Sequence, residues 1–260
     1  MLKAQVNGTT LHYTCDGNAG APALLFANSL GADHTMWQPQ VAALSAHWRL
    51  IRYDARGHGQ SGVTPGPYTV ELLGQDALAL LDHLRIERAA FCGLSLGGAT
   101  GQWVGLHAKN RITGLVLANT AAKIGTPDAW NQRIAAVNAG GVAAEADAVL
   151  QRWFTSGFAQ REPAVLARMK AMMRSQPTAG YAAQCAAVRD ADFRDALATL
   201  EVPTLVIAGT HDVSTTPADG AFLAQRIPGA RYVELDAAHI SNVEAPQAFN
   251  ATLLDFLGYR

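Results

Sequence analysis

The chain has 260 residues, of which 49% are hydrophobic and only 16% are charged. Such a composition buries a large core, so it excludes a disordered chain, and the length fits one large domain or one domain with an insertion. The 20 basic and 21 acidic side chains leave a net charge of −1, which gives no electrostatic reason to bind nucleic acid or an anionic membrane.

Three cysteines, Cys15, Cys92 and Cys185, lie far apart and form no CxxC pair. An odd number at this spacing predicts neither a disulfide framework nor a zinc site. The first ten residues, MLKAQVNGTT, lack the apolar stretch of a signal peptide. We therefore expect a reduced, cytoplasmic protein.

Short apolar runs alternate with helical patterns over the first 120 or so residues. Runs such as Ala23–Ala27 are apolar throughout, which is typical of parallel strands buried on both faces. A helix over 69–85 begins at Thr69 and carries leucines and alanines at helical spacing. The alternation predicts a doubly wound α/β sheet. The predicted strands cover 2–6, 9–15, 23–28, 49–54, 89–93, 112–118, 204–209 and 230–235.

A glycine-rich stretch follows the fourth predicted strand. Residues 57–62, GHGQSG, match the GxGxxG pattern of dinucleotide-binding loops. That fingerprint must open a helix whose N-terminus meets the pyrophosphate, and Pro65 and Pro67 follow too closely for a helix to form. We therefore predict a glycine-rich loop without NAD binding.

Residues 89–108 resemble a membrane-spanning helix in length and composition. They contain no Asp, Glu, Lys or Arg, and their glycines recur at GxxxG spacing. Polar and aromatic interruptions dilute the hydrophobicity of this stretch below that of a lipid-stable helix. We predict a strand that turns into a buried helix, and no membrane span.

The strand signals stop between residues 122 and 197, where helical patterns cover 127–140, 142–157, 162–175 and 179–188. So long a helical stretch exceeds one crossover between parallel strands. The simplest organisation is a helical cap, 122–197, inserted into an α/β core formed by 1–121 and 198–260.

Gly93-Leu94-Ser95-Leu96-Gly97 matches G-x-S-x-G. Such short glycine motifs also occur by chance, but this one lies between a predicted strand and a predicted helix over Gly98–His107. A nucleophilic serine at a sharp strand-to-helix turn requires that context, because larger neighbours would collide with adjacent elements. The pattern predicts Ser95 as a nucleophile.

A nucleophilic serine needs a base and a group that orients the base, in the chain order Ser, acid, His. Asp212 follows the strand over 204–209, and His239 follows the strand over 230–235. Both therefore lie at the carboxyl edge of the sheet, where ligands bind in such folds. Taken singly, Asp212 is equally well a turn residue and His239 a loop histidine. His211 is a competing base, although it lies beside the acid on the same turn.

The oxyanion of a tetrahedral intermediate needs two N–H donors. The amide of Leu96 is the first candidate, at the start of the helix after Ser95. The second candidate is the amide of Leu30, in the loop Asn28-Ser29-Leu30-Gly31 after the third strand. An ordinary β-turn explains the composition of that loop equally well.

These motifs resemble the α/β-hydrolase superfamily over the whole chain. The supporting residues are 54–61 (DARGHGQS), 93–98, 209–212 and His239 followed by 244–246. Ala238 departs from the glycine that is commoner before the histidine. The resemblance implies a mostly parallel eight-stranded sheet flanked by helices, with an inserted helical cap.

Within the superfamily the chain most resembles the 3-oxoadipate enol-lactonases. That resemblance lies in Asn28–Gly31, in 130–134 (WNQRI), and in 180–181 with 185–192. It implies hydrolysis of a small cyclic enol ester to 3-oxoadipate, in the β-ketoadipate pathway of aromatic catabolism, by acyl transfer to Ser95 and then to water. Such a triad needs no cofactor, and the scattered histidines predict no metal site.

Other functions use the same residues. A carboxylesterase or a carbon–carbon bond hydrolase would share the triad, and a ligand receptor would share the fold. The sequence leaves the oligomeric state open, with a homodimer as one possibility.

The anionic lactone that the resemblance implies needs a paired donor for its carboxylate. Arg133 lies three residues after Trp130, so both side chains share one helical face of the cap. This pair resembles the Trp-x-x-Arg of the lactonases, and we predict that it binds the substrate. A salt bridge within the cap for Arg133 and a core position for Trp130 are equally good readings. Trp153 and Phe154 are predicted mainly as cap core.

Overall fold

A computed structural model describes residues 2–258. Its strands, in chain order, are β1 (Leu2–Val6), β2 (Thr9–Asp16), β3 (Ala23–Ala27), β4 (Arg49–Tyr53), β5 (Ala89–Leu94), β6 (Ile112–Ala118), β7 (Thr204–Gly209) and β8 (Arg231–Leu235). They form one eight-stranded sheet in the order β1-β2-β4-β3-β5-β6-β7-β8. Only β2 runs antiparallel, to both β1 and β4, so the predicted, mostly parallel sheet is confirmed.

Helices cover both faces and connect the parallel strands. Those of the sheet layers are α1 (Gln38–Leu44), α2 (Val70–His83), α3 (Leu96–His107), α9 (Pro217–Arg226), α10 (Ser241–Glu244) and α11 (Pro246–Leu257). Those between β6 and β7 are α4 (Pro127–Gly140), α5 (Val142–Trp153), α6 (Ser156–Arg161), α7 (Pro163–Arg174) and α8 (Thr178–Asp190). We call this second group the cap helices; the domain boundaries 122–197 stay a prediction.

The central strands are apolar because both of their faces are covered. Every residue of β3, β5 and β7 is buried, as the continuous apolar runs predict. Helix α3 packs against β5 and β6, so the uncharged stretch 89–108 is a central strand followed by a buried helix. Within residues 2–258, no helix is both long and apolar enough to cross a membrane.

One predicted helix, 142–157, is wrong at its C-terminal end. Helix α5 stops at Trp153, Phe154 is extended (φ −135°, ψ 148°), and Thr155 begins a new helix. The Thr155 hydroxyl accepts the Phe158 N–H at 3.2 Å, which caps α6. The Thr155 N–H donates to the Glu244 carboxylate at 3.1 Å, a contact across 89 residues that helical periodicity does not encode.

Candidate active site

Ser95 lies at a sharp turn between β5 and α3. Its backbone has φ 59° and ψ −114°, a conformation that is strained for a residue with a side chain. A Cβ on Gly93 would lie 2.0 Å from the Gly97 carbonyl oxygen, and one on Gly97 would lie 2.1 Å from that of Ala27. Close backbone contacts therefore leave no room for a side chain at either glycine of the G-x-S-x-G motif. Helix α3 begins at Leu96, two residues earlier than predicted.

Asp212 follows β7 and is surrounded by hydrogen-bond donors. Its Oδ2 accepts from His239 Nδ1 at 2.8 Å, the Thr215 hydroxyl at 2.8 Å and Asn119 Nδ2 at 3.1 Å. Its Oδ1 accepts the N–H groups of Ser214 at 2.8 Å and Thr215 at 3.1 Å. Burial opposes the charge, but the His239 imidazole and these hydrogen bonds prevail and lower the pKa of Asp212 to about 2.

His239 follows β8 and is buried beside Asp212. Its Nδ1 lies 2.8 Å from Asp212 Oδ2, so the acid fixes both the ring orientation and the position of the proton. His211, the competing base, instead lies 2.8 Å from Asp236 on the exposed surface. Among the described residues, the structure therefore pairs Asp212 with His239.

Asn119 supports this pair and was not predicted. It follows β6 with a left-handed backbone, φ 42°. Its Nδ2 donates to Asp212 Oδ2 and to the Ala238 carbonyl at 3.2 Å, and its Oδ1 accepts from the Ser241 hydroxyl at 2.5 Å. One amide thus holds the acid and both sides of the histidine loop. Its position directly after a buried parallel strand is the sequence signal that identifies it.

The predicted oxyanion donors lie on two loops that approach the same cavity. Leu96 is the first residue of α3, where backbone N–H groups have no partner within the helix. Leu30 lines the cavity between β3 and α1, and the following Gly31 has φ +84°. This left-handed conformation fits a loop that must aim a peptide group, and Gly adopts it without strain.

A cavity of about 400 Å³ separates the sheet edge from the cap helices. Ser95 and His239 line it on the core side, together with Ser29, Leu30 and Ser214. The cap side contributes aromatic and basic side chains, namely Trp130, Arg133, Arg152, Trp153 and Tyr181. Phe154 is absent from this lining and stacks on Phe158 at 5.0 Å. A small, partly apolar ligand with an anionic group fits these walls.

Two arginines face this cavity from the cap. The Arg133 guanidinium carbon lies 5.2 Å from the centre of the Trp130 ring, and the Trp130 indole donates to the Ile124 carbonyl at 2.7 Å. Among residues 2–258, no carboxylate forms an ion pair with Arg133 or Arg152, and the Nη2 of Arg152 is buried without a hydrogen-bond partner. Among these residues, Arg133 therefore does not form the salt bridge that was the alternative prediction.

Arg152 was not singled out from the sequence, because an arginine is by default a solvated surface residue. Burial and the positive charge of Arg133 both lower the pKa of Arg152. Tyr181 and the Glu145 carboxylate oppose this lowering, and an anion bound between the two arginines relieves their mutual repulsion further. In the sequence, only the position of Arg152 next to Trp153 in the cap indicated a place in the site.

Outside the cavity, the described residues contain one group with the proximity of metal ligands, formed by His12, His34 and Asp54. The Nδ1 atoms of the two histidines lie 2.9 and 2.7 Å from the Asp54 oxygens. Those atoms are therefore engaged in hydrogen bonds, and the group does not line the cavity of Ser95 and His239.

The model of the α/β-hydrolase fold matches residues 22–246 of the chain. The chain is 45% identical over 240 residues to 3-oxoadipate enol-lactonase 2 of Acinetobacter baylyi, covering 92% of this chain and 90% of that protein. It is 30% identical to a putative carbamate hydrolase of Agrobacterium fabrum, covering 95% of this chain and 98% of that protein.

Solved structures show the same relationship. The enol-lactonase of Burkholderia xenovorans LB400 superposes with a TM-score of 0.97 at 52% identity, covering 98% of this chain and 99% of that one. A thermophilic esterase of Thermogutta terrifontis, with malate bound, superposes with a TM-score of 0.93 at 28% identity, covering 99% of this chain and 98% of that one.

Proposed function

Because the chain belongs to the α/β-hydrolase family, we propose that it is a serine hydrolase that opens 3-oxoadipate enol-lactone to 3-oxoadipate. Relatives named for that activity match nearly the whole chain. One observation supports the choice of an anionic substrate. Arg133 and Arg152, which form no ion pair with a carboxylate among the described residues, share a cavity with Ser95 and His239. The proposal places the reaction in the β-ketoadipate pathway of aromatic catabolism.

The first half of the reaction forms an acyl-enzyme. His239 removes the proton from the Ser95 hydroxyl as its oxygen attacks the lactone carbonyl carbon. The tetrahedral intermediate collapses, the ring C–O bond breaks, and the imidazolium returns the proton to the enol oxygen that leaves. The leaving enolate is delocalised, so this bond breaks readily. The opened chain stays attached to Ser95 through its acyl carbon.

The second half transfers the acyl group to water. His239 deprotonates a water molecule that attacks the ester carbonyl, and then protonates the Ser95 oxygen as it leaves. Asp212, held anionic by its donors, stabilises the imidazolium in both halves. The released enol tautomerises to the ketone of 3-oxoadipate, which carries two carboxylates in one molecule.

The amides of Leu30 and Leu96 stabilise the oxyanion in both halves. Backbone N–H groups fixed by the fold act without reorganising, and removing one such donor typically costs about 10²–10³ in kcat. Leu96 contributes an N–H from the first turn of α3, which also carries the positive end of the helix dipole. Leu30 contributes from the loop after β3.

Arg133 and Arg152 bind the acetate carboxylate of the lactone. Guanidinium groups form paired hydrogen bonds with a carboxylate, and the anion relieves the repulsion between the two arginines. The Trp130 ring, which also contacts Arg133, packs on the lactone. The remote carboxylate thus orients the ring so that its carbonyl meets Ser95.

The test is a spectrophotometric assay of freshly generated 3-oxoadipate enol-lactone beside uncharged esters and a carbon–carbon hydrolase substrate. We expect kcat/KM for the lactone to exceed that for p-nitrophenyl acetate by more than about 100-fold, because the carboxylate supplies binding energy that the ester lacks. An ester preferred over the lactone would make the protein a carboxylesterase. Tight lactone binding without turnover would indicate a receptor.

A carboxylesterase is the second candidate. It is favoured by the structural similarity to the Thermogutta terrifontis esterase, and it would use the same triad. The two candidates differ in the cap: a general esterase has no need for two arginines without acidic partners.

A further inference from the structure

The glycine-rich loop 57–62, which does not open a helix, packs against the loop that carries Leu30. We name residues 28–34 the oxyanion loop and residues 54–62 the supporting loop. The oxyanion loop begins at Asn28, whose Nδ2 donates to the Tyr53 carbonyl at 2.8 Å, and ends at His34, whose N–H donates to Asp54 Oδ1 at 2.8 Å. Both ends are thus attached to β4 and to the residue after it.

His58 contacts the middle of the oxyanion loop. The Gly31 N–H donates to His58 Nε2 at 2.9 Å, and this pair is buried. The Gly31 N–H belongs to the peptide plane that joins Leu30 to Gly31, so its hydrogen bond fixes the rotation of that plane. The plane in turn sets ψ of Leu30, and with it the direction of the loop that presents the Leu30 N–H.

His58 is suited to accept this hydrogen bond because it is neutral. It is completely buried, and desolvation lowers its pKa to about 4 despite the opposing charge of Asp54. At neutral pH the ring therefore carries one proton, which lies on Nδ1 because Nε2 accepts from Gly31. A protonated ring would offer no acceptor to Gly31.

His58 also contacts the cap side of the cavity. Its ring stacks on Tyr181 at 5.9 Å between centroids, with an interplanar angle of 25°, and Tyr181 lines the cavity. Burial raises the pKa of the Tyr181 hydroxyl, and the positive charge of Arg133 opposes that rise. The supporting loop therefore contacts the oxyanion loop through Gly31 and the cap through Tyr181.

We propose that His58 is a positioning residue, which aims the oxyanion loop by accepting the Gly31 N–H and aligns that loop with the cap through Tyr181. The role rests on the proposed function only in that an oxyanion must form at Ser95; it does not depend on which ester is the substrate. The glycine-rich motif thereby acquires a role in positioning the oxyanion loop.

The test compares variants that differ only in the acceptor. His58→Gln places an amide oxygen near the position of Nε2, whereas His58→Asn ends one methylene short of it and His58→Leu has no acceptor. His107→Leu, which removes an exposed histidine on α3, is the matched control. For each variant we would measure the melting temperature, kcat and KM for p-nitrophenyl acetate and for the lactone, and the inhibition constant of phenylboronic acid.

We expect His58→Leu and His58→Asn to lower kcat by about 10- to 100-fold for both substrates, with KM within about twofold, because misplacing an oxyanion donor weakens only transition-state binding. The inhibition constant of the boronic acid, which forms a tetrahedral adduct on serine, should rise by a similar factor. His58→Gln should recover most of the loss, and His107→Leu should show none.

Three results would overturn the proposal: a kcat within twofold of wild type in His58→Asn, equal losses in His58→Gln and His58→Asn, or a rise in KM alone. If His58→Leu does not fold, the comparison of Gln with Asn still decides. If the protein hydrolyses p-nitrophenyl acetate but not the lactone, the substrate proposal fails while the role of His58 is still decided on the acetate.

Discussion

Replacing Arg133 by methionine removes one of the two guanidinium groups that face the cavity while preserving most of the side-chain length. Neither Arg133 nor Arg152 has a carboxylate partner among the described residues, so the substitution leaves no protein carboxylate without its ion pair. What is lost is the hydrogen bonding to the substrate anion, together with the interaction between Arg133 and Tyr181. Hydrogen bonds to charged groups contribute about 1.5–3 kcal/mol, which corresponds to a fall in kcat/KM for the lactone of about 10- to 150-fold.

The loss should appear mainly in KM, with kcat falling as well to the extent that the bound carboxylate orients the ring. Hydrolysis of p-nitrophenyl acetate, which has no carboxylate, should change by less than about twofold in the same preparation. Arg174→Met, at an exposed position on α7 outside the cavity, is the matched control and should leave both substrates unaffected.

Equal effects of Arg133→Met on the two substrates would refute the anchoring role, since only one of them carries an anion. The absence of any effect would refute it as well. The double variant Arg133→Met with Arg152→Met should lose less than the sum of the two single losses if both groups bind one carboxylate. Strictly additive losses would assign the arginines to separate tasks.

Further expectations concern the acid, the buried histidine and the link to the cap. Asp212→Asn should fold normally but hold the His239 ring in the wrong tautomer, lowering kcat for the lactone by about 10⁴; a loss below tenfold would contradict its role. His58 has its pKa lowered from 6.5 to about 4 in the folded chain, so unfolding takes up a proton between those pH values. Stability measured by urea unfolding should therefore fall by up to about 3 kcal/mol as the pH drops from about 6.5 to 4. A smaller fall in His58→Gln would support this assignment, and an identical one would contradict it. Glu244→Leu leaves the N–H groups of Thr155 and Ala238 without their acceptor, and should cost about 2 kcal/mol in thermal unfolding; an unchanged melting temperature would show that water replaces the carboxylate.

The fold was predictable because its signals are local. Buried parallel strands are continuous apolar runs, and all eight predicted strands are present with ends shifted by no more than about a residue. The nucleophile turn was predictable for the same reason. Side chains at Gly93 and Gly97 would collide with backbone atoms of the same strand–turn–helix unit or of the neighbouring strand. Chain order and strand ends then indicated Asp212 and His239, which the structure pairs.

What the sequence did not reveal depends on contacts between distant segments. Helix 142–157 is broken because the Glu244 carboxylate, 89 residues further along, accepts the Thr155 N–H. Asn119 belongs to the site because two other loops bring Asp212 and Ser241 to its amide. From the sequence, Arg152 was expected on the surface. The packing of the cap helices places it in the same cavity as Arg133. Periodicity reports which face of an element is buried, but not which partner covers it.

The most direct test of the account is the rate at which Ser95→Ala consumes 3-oxoadipate enol-lactone, measured beside the wild-type protein by the loss of lactone absorbance. The substitution removes one oxygen atom at the turn between β5 and α3, and the Ser95 side chain forms no N-cap hydrogen bond to α3. We expect a fall in kcat of about 10⁴–10⁶ with an unchanged melting temperature, because the attacking atom is lost while the oxyanion donors and the cap arginines remain. A Ser95→Ala protein that opens the lactone at the wild-type rate would contradict the mechanism.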